Sequence, residues 1–88
     1  MPKSKISKIE QFVINKVKET RINKGLSQED IASILDTSRG FIGQIESHNN
    51  TSKYSLNHLN TLAIEFGVSP KDFFPEKPII ETKKRNNK

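Results

Sequence analysis

Apolar residues recur at helical spacing along this chain, and serine and glycine mark where each apolar run begins and ends. The first predicted helix starts at Ser7, and its apolar face repeats every four residues at Ile9, Val13 and Val17. Gly25 ends it, because glycine enters the left-handed conformation that closes helices at no steric cost. The opening of the chain is therefore predicted to be one amphipathic helix.

Residues 27–46 contain two short helical patterns separated by a tight break. Ser27 caps the second predicted helix, which runs to about residue 35, and Ser38 caps the third, which runs from Arg39 to about residue 47. Asp36 lies in the turn between them, because aspartate tolerates positive φ better than most residues do. The apolar positions of the two patterns are Ile31, Ala32, Ile34, Leu35, Phe41, Ile42 and Ile45. A two-helix unit of this size commonly lays its second helix in the major groove of DNA.

Two further helices are predicted after a polar loop. Ser55 caps the fourth helix, and Gly67 stops it. Its predicted buried stripe consists of Leu56, Leu59, Leu62, Ala63 and Phe66. Pro70 follows Ser69 at the first position of a short fifth helix. Phe73 and Phe74 are expected to close the core.

The length of 88 residues allows one small domain. We expect a flexible segment at 1–6, a helix-turn-helix domain at 7–75 with the motif itself at 27–47, and a basic, disordered tail at 76–88. The absence of cysteine excludes disulfides and thiolate metal sites. No phosphate-cradling glycine motif, catalytic spacing or histidine cluster appears, so neither an enzyme nor a cofactor or metal site is expected. The lack of an apolar stretch or signal peptide favours a cytoplasmic protein that is not associated with a membrane.

The net charge of +5 is unevenly distributed. Residues 1–24 carry seven Lys or Arg against two Glu, and residues 76–88 carry five against two. Residues 25–75 carry three against six Asp or Glu, a net charge of −3. Attraction to a polyanion would therefore come from the first helix and the tail, although basic ends also serve simply to keep a chain soluble.

The order and spacing of these signals resemble the Cro/repressor-type (Xre-like) helix-turn-helix family, which includes the lambdoid phage repressors. The resemblance covers roughly residues 9–74. It is carried by Arg21, Leu26, Ser27, Gln28, Ile31, Ala32, Ser38, Ile42, Ile45, Glu46, Ser55, Leu56, Leu59, Leu62, Ala63, Gly67, Val68, Ser69 and Phe73. It implies an all-α, compact five-helix, lambda-repressor-like domain that regulates transcription, as a repressor, by occupying an operator. It also implies a bacterial or phage protein associated with the nucleoid.

The resemblance also implies which side chains meet double-stranded DNA. Gln28 falls where family members contact phosphate and brace the recognition helix, and Arg39, Gly40 and Gln44 fall where they face base edges. For Arg39, contact with phosphate stays open beside contact with a base. Ser38 is expected to contact phosphate or to act only as a cap. Lys53 and Tyr54 lie in the loop where the family makes phosphate contacts, unless this is an ordinary polar loop, and Asn49 could add a neutral contact. Arg21 is expected near the DNA backbone, and Phe41 is a further candidate for DNA contact.

The recognition helix also departs from the family's usual pattern. Gly40 and Gly43 each weaken a helix, so either they serve close approach to DNA and relief of crowding, or the helix is soft until DNA orders it. Phe41 stands where the family often has Ser or Thr, and it either contacts a thymine methyl group or packs inward.

Arg21 is expected to form an ion pair with Glu46, as the matching residues of the family do. The family usually binds as a homodimer, for which candidate surface residues are Phe73, Phe74, Ile79 and Ile80 unless the phenylalanines are core and the isoleucines a frayed tail. Two alternatives remain open at this stage. One is an antitoxin that autoregulates its operon and has a toxin as partner, and the other is a protein-interaction module that keeps the fold without binding DNA.

Overall fold

Residues 6–47 and 51–81 are described by the computed structural model, and they form a small helical bundle. The helices are α1 (Lys8–Asn23), α2 (Gln28–Leu35), α3 (Arg39–Ile45) and α4 (Leu56–Phe66), followed by a 3-10 helix at Pro70–Phe73. The all-α expectation is confirmed for this part of the chain. A fifth α-helix is not confirmed, because the last element is a four-residue 3-10 turn that ends where Phe74 becomes extended.

Serine caps set the start of every element, as the sequence predicts. The hydroxyls of Ser7, Ser27, Ser38 and Ser55 each accept a hydrogen bond from the backbone N–H three residues later, at 3.0–3.2 Å. The hydroxyl of Ser69 accepts one from the N–H of Lys71 at 3.2 Å. These bonds satisfy N–H groups that have no partner within the helix, so the boundaries follow from local chemistry.

Left-handed residues end the helices where the sequence places them. Gly25 and Gly67 both have φ of 72°, and Asp36, with φ of 57°, is the one non-glycine residue with positive φ in the described ranges. Asp36 ends α2 and turns the chain directly into the segment that caps α3. The short connection between the two helices of the motif is thus fixed by a residue that tolerates this conformation.

One apolar core joins all the elements. Its buried residues are Val13, Ile14, Val17, Ile31, Ala32, Ile42, Ile45, Tyr54, Leu59, Leu62, Ala63, Phe66 and Phe73. A spacing of four residues advances about 400° around a helix, so an every-fourth-residue face drifts by about 40° at each step. For this reason α1 buries Ile14 beside Val13 and Val17, while Ile9 at its start remains 36% exposed.

Leu56 departs from the predicted buried stripe of α4. It is the first residue of the helix, and 75% of its surface is exposed. It stands one turn before Leu59, where the helix has not yet met the body of the core. The prediction that Leu56 is buried is therefore wrong, and its side chain belongs to the surface.

Tyr54 was assigned to DNA contact by the family pattern, but it lies in the core. Its ring stands edge-on to His58, with centroids 6.1 Å apart, and its hydroxyl is inaccessible and has no hydrogen-bond partner in the described part of the chain. Burial, and secondarily the negative charge of Glu46, raises the pKa of this phenol far above its usual range. A buried hydroxyl cannot reach a phosphate from this position, so Tyr54 is corrected to a core residue.

The segment after the 3-10 helix is more ordered than the sequence suggests. Phe73 is fully buried and offers no surface to a second copy, whereas Phe74 packs against the core and stays partly exposed. Of the two isoleucines that follow, Ile79 is half-buried and Ile80 is exposed. The carboxylate of Glu81 then accepts hydrogen bonds from the backbone N–H of Lys8, at 2.9 and 3.0 Å, and of Ile9, at 3.3 Å. Residues 76–81 therefore fold back on the start of α1, and the rest of the predicted tail lies outside the described residues.

The loop before α4 is fastened to α1 by an ion pair. The Nζ of Lys53 lies 2.8 Å from the Oε2 of Glu10, and both side chains are partly exposed. The hydrogen bond from Lys53, together with the one from the N–H of Ser7, holds the pKa of Glu10 below its usual value. Glu10 thus stabilises both the capping box of α1 and the position of this loop.

We expect the contribution of this ion pair to stability to depend on pH. The lowered pKa means that Glu10 stabilises the fold at neutral pH and that this stabilisation is lost as the pH falls through the folded-state pKa. Lys53→Met should lower the free energy of unfolding by about 0.2–1 kcal/mol at pH 7, since both groups are solvated. Urea unfolding of both proteins at pH 7 and below pH ~4 measures the difference. The stabilisation begins to be lost near the unperturbed pKa of Glu, which is close to the lower pH. Lys18→Met, at an exposed lysine without an ion pair in the described ranges, is the control, and an equal loss at both pH values would contradict the assignment.

The unpartnered hydroxyl of Tyr54 gives a second prediction. Tyr54→Phe removes a buried polar atom and leaves the packing of the ring unchanged, so stability should stay the same or rise by about 1 kcal/mol. Thermal and urea unfolding of the two proteins measure the difference. A clear loss of stability would show that the hydroxyl has a partner outside the described residues.

Candidate nucleic-acid interface

The second and third helices pack against each other across a tight turn. The N–H of Thr37 donates to the carbonyl of Ala32 at 2.9 Å, which closes the turn after Asp36. Ile31 and Ala32 of α2 and Ile42 and Ile45 of α3 are buried in the same core. The Ser38 hydroxyl is engaged at the start of α3, because it accepts a hydrogen bond from the N–H of Phe41 at 3.1 Å. Of the two roles considered for Ser38, the structure places it in the capping one.

The outer face of α3 is narrow and is lined by glycine. Arg39, Gly40 and Gln44 are exposed, and Gly43 is partly so. Arg39 and Gln44 are about 140° apart around the helix axis, and the two glycines lie within that arc. The exposed surface of the helix is therefore bare backbone between one guanidinium and one amide.

Neither glycine is required by crowding within the protein. A Cβ atom at Gly40 would lie 3.9 Å from the Oγ of Ser38, and one at Gly43 would lie 3.5 Å from the Oε1 of Gln28. Both distances are ordinary van der Waals contacts, and both residues have helical backbone. The idea that Gly43 relieves crowding thus finds no support in the geometry.

A buried ion pair holds α3 to the first helix. The Nε and Nη2 atoms of Arg21 donate to the two carboxylate oxygens of Glu46, each at 3.0 Å, and its Nη1 donates to the carbonyl of Leu26 at 2.8 Å. Only 12% of the Arg21 side chain and 3% of the Glu46 side chain are exposed. The pairing that the resemblance implied is present, and its bidentate geometry is the strong form of such a contact.

Gln28 joins this network from the start of α2. Its Nε2 donates to the Oε1 of Glu46 at 3.0 Å, so Glu46 receives hydrogen bonds from both α1 and α2. Gln28 is partly exposed, and its Oε1 lies beside Gly43. One side chain at the edge of the α3 face therefore braces the recognition helix and still reaches the surface.

Phe41 packs inward. It is partly buried against the core, and its ring lies edge-on to His58 of α4 with centroids 6.0 Å apart. His58 in turn accepts a hydrogen bond from the N–H of Ser55 through Nδ1, at 3.1 Å, and completes the capping box of α4. The structure thus favours the inward alternative for Phe41, and it gives His58 a structural role that the spacing from Ser55 could have signalled.

The remaining predicted contacts are not gathered at the α3 face. Lys53 is paired with Glu10 near the start of α1, Tyr54 is buried, and Asn49 lies outside the described residues. What the structure brings together is one surface formed by Gln28, Arg39, Gly40 and Gln44, with Arg21 and Glu46 behind it.

No group of acidic or histidine side chains in residues 6–47 and 51–81 is arranged to hold a metal ion. Within the same ranges, no helix has the length and apolar character needed to cross a membrane.

Comparison with known proteins places this geometry in a family. The sequence model of the helix-turn-helix domain family matches residues 14–77. Among solved structures, the fold is similar to that of a hypothetical transcription factor, NHTF, from Neisseria, with a TM-score of 0.63 and 21% sequence identity over 76% of this chain and 75% of that one. No curated protein matches the chain. Because the family match spans most of the sequence, the chain belongs to the Xre-like helix-turn-helix domain family.

Proposed function

We propose that the protein is a sequence-specific DNA-binding regulator of transcription, which represses by occupying an operator in the cytoplasm. The observation that carries this proposal is the exposed face of α3, where Arg39 and Gln44 flank a strip of bare backbone. Arginine and glutamine can read guanine and adenine edges in the major groove. A helix surface without side chains between them can approach the base pairs closely.

Phosphate contacts would come from the edge of this face. Gln28 stands at the first position of α2, where backbone N–H groups point outward and its amide can add a hydrogen bond. The network of Arg21, Gln28 and Glu46 fixes the angle of α3 before DNA arrives. The cost of ordering the reading surface is thereby reduced, which favours affinity.

We propose that two copies act together on symmetric half-sites. One α3 is seven residues long and reaches only a few base pairs, so a unique operator needs a second reading surface. Half-sites one helical turn apart, about 34–36 Å, are the geometry expected for such a homodimer. Because Phe73 is buried, the contact between copies would use accessible apolar side chains, such as Phe74 and Ile80.

Selection of bound duplexes from a random library tests the proposal. We expect the full-length protein to enrich a short, symmetric sequence and to bind it about 1,000-fold or more tightly than random DNA at physiological salt. Fluorescence titration at several salt concentrations would separate sequence-specific affinity from the salt-dependent attraction to phosphates. Failure of every duplex to bind better than bulk DNA at low salt would contradict the proposal.

Gln44→Ala should change which base is preferred at one operator position. The expected loss is about 1–3 kcal/mol at that position, with little change in binding to random DNA. Asn60→Ala, which removes an exposed amide from α4, is the matched control. If the Gln44 variant lost the same affinity on operator and random DNA, a base contact would be excluded.

The glycine strip predicts opposite effects on stability and on binding. Gly40→Ala and Gly43→Ala should each raise the free energy of unfolding by about 0.5–1 kcal/mol, because a Cβ fits and alanine favours helix. The same Cβ would stand between the backbone and the bases, so affinity for the selected operator should fall, more for exposed Gly40 than for Gly43. Ser33→Ala on α2 is the control, since it should stabilise the helix without touching DNA. A stabilised Gly40 variant with full affinity would show that close approach is not used.

A further inference from the structure

The exposed face of α4 carries almost no charge. One of the eleven residues of the helix, Glu65, is charged, whereas charged residues make up 28% of the whole chain. Leu56 and Ile64, near the two ends of the helix, are 75% and 74% exposed. The exposed residues between them are uncharged, namely Asn57, Asn60 and Thr61. A surface that is depleted of charge and exposes large apolar side chains is typical of a protein–protein interface.

Three of these residues form a continuous row, which we call the α4 ridge. Leu56, Asn60 and Ile64 are spaced four residues apart, so they follow one ridge of the helix over about 12 Å of its axis. The order of side-chain types along the row is the same in both directions, because an amide lies midway between two branched aliphatic side chains of nearly equal exposure. Such a row is complementary to a second copy of itself in the antiparallel orientation.

The α4 ridge lies on the flank of α4 that is turned away from α3. His58 marks the flank that faces α3, since its ring lies 6.0 Å from the ring of Phe41. Asn60, at the middle of the ridge, is about 160° around the helix axis from His58. A partner that covered the ridge would therefore approach from the side opposite α3 and leave Arg39 and Gln44 accessible.

The chemistry of the α4 ridge limits what can cover it. The ridge has no cation to attract phosphates and no charge to pair with a charged peptide. An uncharged helix with the same sequence of side chains fits it, because aliphatic groups would meet aliphatic groups and an asparagine amide both donates and accepts hydrogen bonds. Ile80, which is equally exposed, is a poorer candidate because it stands outside the helices and is followed directly by Glu81.

We propose that two copies of this chain meet through their α4 ridges, which cross in the antiparallel orientation. Asn60 lies on the two-fold axis, and Leu56 packs against Ile64 of the second copy. Ridges of this spacing cross at about −50°, so the crossing point and one turn on either side of it are in contact. This proposal rests on the proposed function in one respect, that two copies act together, and it adds the surface through which they meet. The contact is smaller than the roughly 20–30 residues a side of a stable interface, so association is expected to be weak until DNA aligns the copies.

A cysteine placed on the two-fold axis tests this arrangement. The chain has no cysteine, so Asn60→Cys introduces its only thiol. Helix axes about 8–10 Å apart bring facing Cα atoms within about 6 Å, which a disulfide can span. Under mild oxidation without DNA, the full-length Asn60→Cys protein should form a covalent dimer at least about tenfold faster than Asn15→Cys, at an exposed asparagine of α1. Equal rates would overturn the proposal.

An exchange of charge tests the antiparallel register. Leu56→Lys or Ile64→Glu alone should slow the cross-linking of the Asn60→Cys protein about tenfold or more, because each puts a charge against an apolar side chain. The two together should restore most of the rate, since the register places each introduced lysine beside an introduced glutamate of the second copy. A parallel register would oppose like charges, so a double variant that stays slow would overturn the proposal. Thermal unfolding checks that every variant folds.

Operator binding separates this proposal from the proposed function. On a selected duplex with two half-sites, Ile64→Glu should abolish cooperative binding, and on a duplex with one half-site it should leave affinity unchanged. Asn60→Ala keeps a small uncharged residue at the crossing and should change operator affinity by less than about twofold.

Ile80→Ser is the matched control, because Ile80 is 75% exposed and lies outside α4. Loss of cooperativity in this variant, with cooperativity intact in Ile64→Glu, would place the contact after the 3-10 helix and overturn the proposal while the regulatory function stood. If no duplex were bound specifically but Asn60→Cys still cross-linked rapidly, the regulatory function would fail and the α4 contact would be supported.

Discussion

The bidentate contact between Arg21 and Glu46 is the constraint on which the orientation of the recognition helix depends. Glu46 ends α3, and it receives hydrogen bonds from α1 through Arg21 and from α2 through Gln28. Both charges are nearly buried, so each is stable there only because the other is present. Removing either partner would leave an uncompensated charge at the junction of three helices. The pair is therefore better understood as a device that fixes geometry than as a source of net stability.

Such a device is needed because α3 has little helical stability of its own. Its seven residues are fewer than an isolated helix needs in water, and two of them are glycine. What holds it is the burial of Ile42 and Ile45, the cap at Ser38 and the network at Glu46. Because these contacts stabilise α3 through its inner face and its ends, its outer face can carry glycine. A weak helix with a bare outer face is thus compatible with a precisely placed reading surface.

The local signals in the sequence predict most of this fold, and most of the features that they miss depend on contacts between residues far apart in the chain. Serine caps, the left-handed Asp36 and the helix-ending glycines were readable because each acts on its nearest neighbours. The burial of Tyr54 is not predictable from the sequence around it, because the residue lies in a loop of polar composition. The contact of Glu81 with α1 crosses 73 positions, and no local pattern signals it. In the site, the family resemblance implied Gln28, Arg39 and Gln44 as surface candidates, but the course of the loop that carries Lys53 depends on a tertiary ion pair.

The distribution of charge in this small chain separates long-range attraction to a polyanion from short-range recognition of sequence. The segment that contains the recognition helix is net negative, so long-range attraction cannot come from there. At the α3 face, selectivity would have to arise from short-range hydrogen bonds and close approach, which discriminate between sequences but do not steer encounter. The positive charge lies instead in residues 1–24 and 76–88. Since screening at physiological salt weakens attraction beyond about 8 Å, this charge acts mainly on a polyanion that already lies close to it. Attraction to a polyanion and selection among sequences would therefore depend on different parts of the chain.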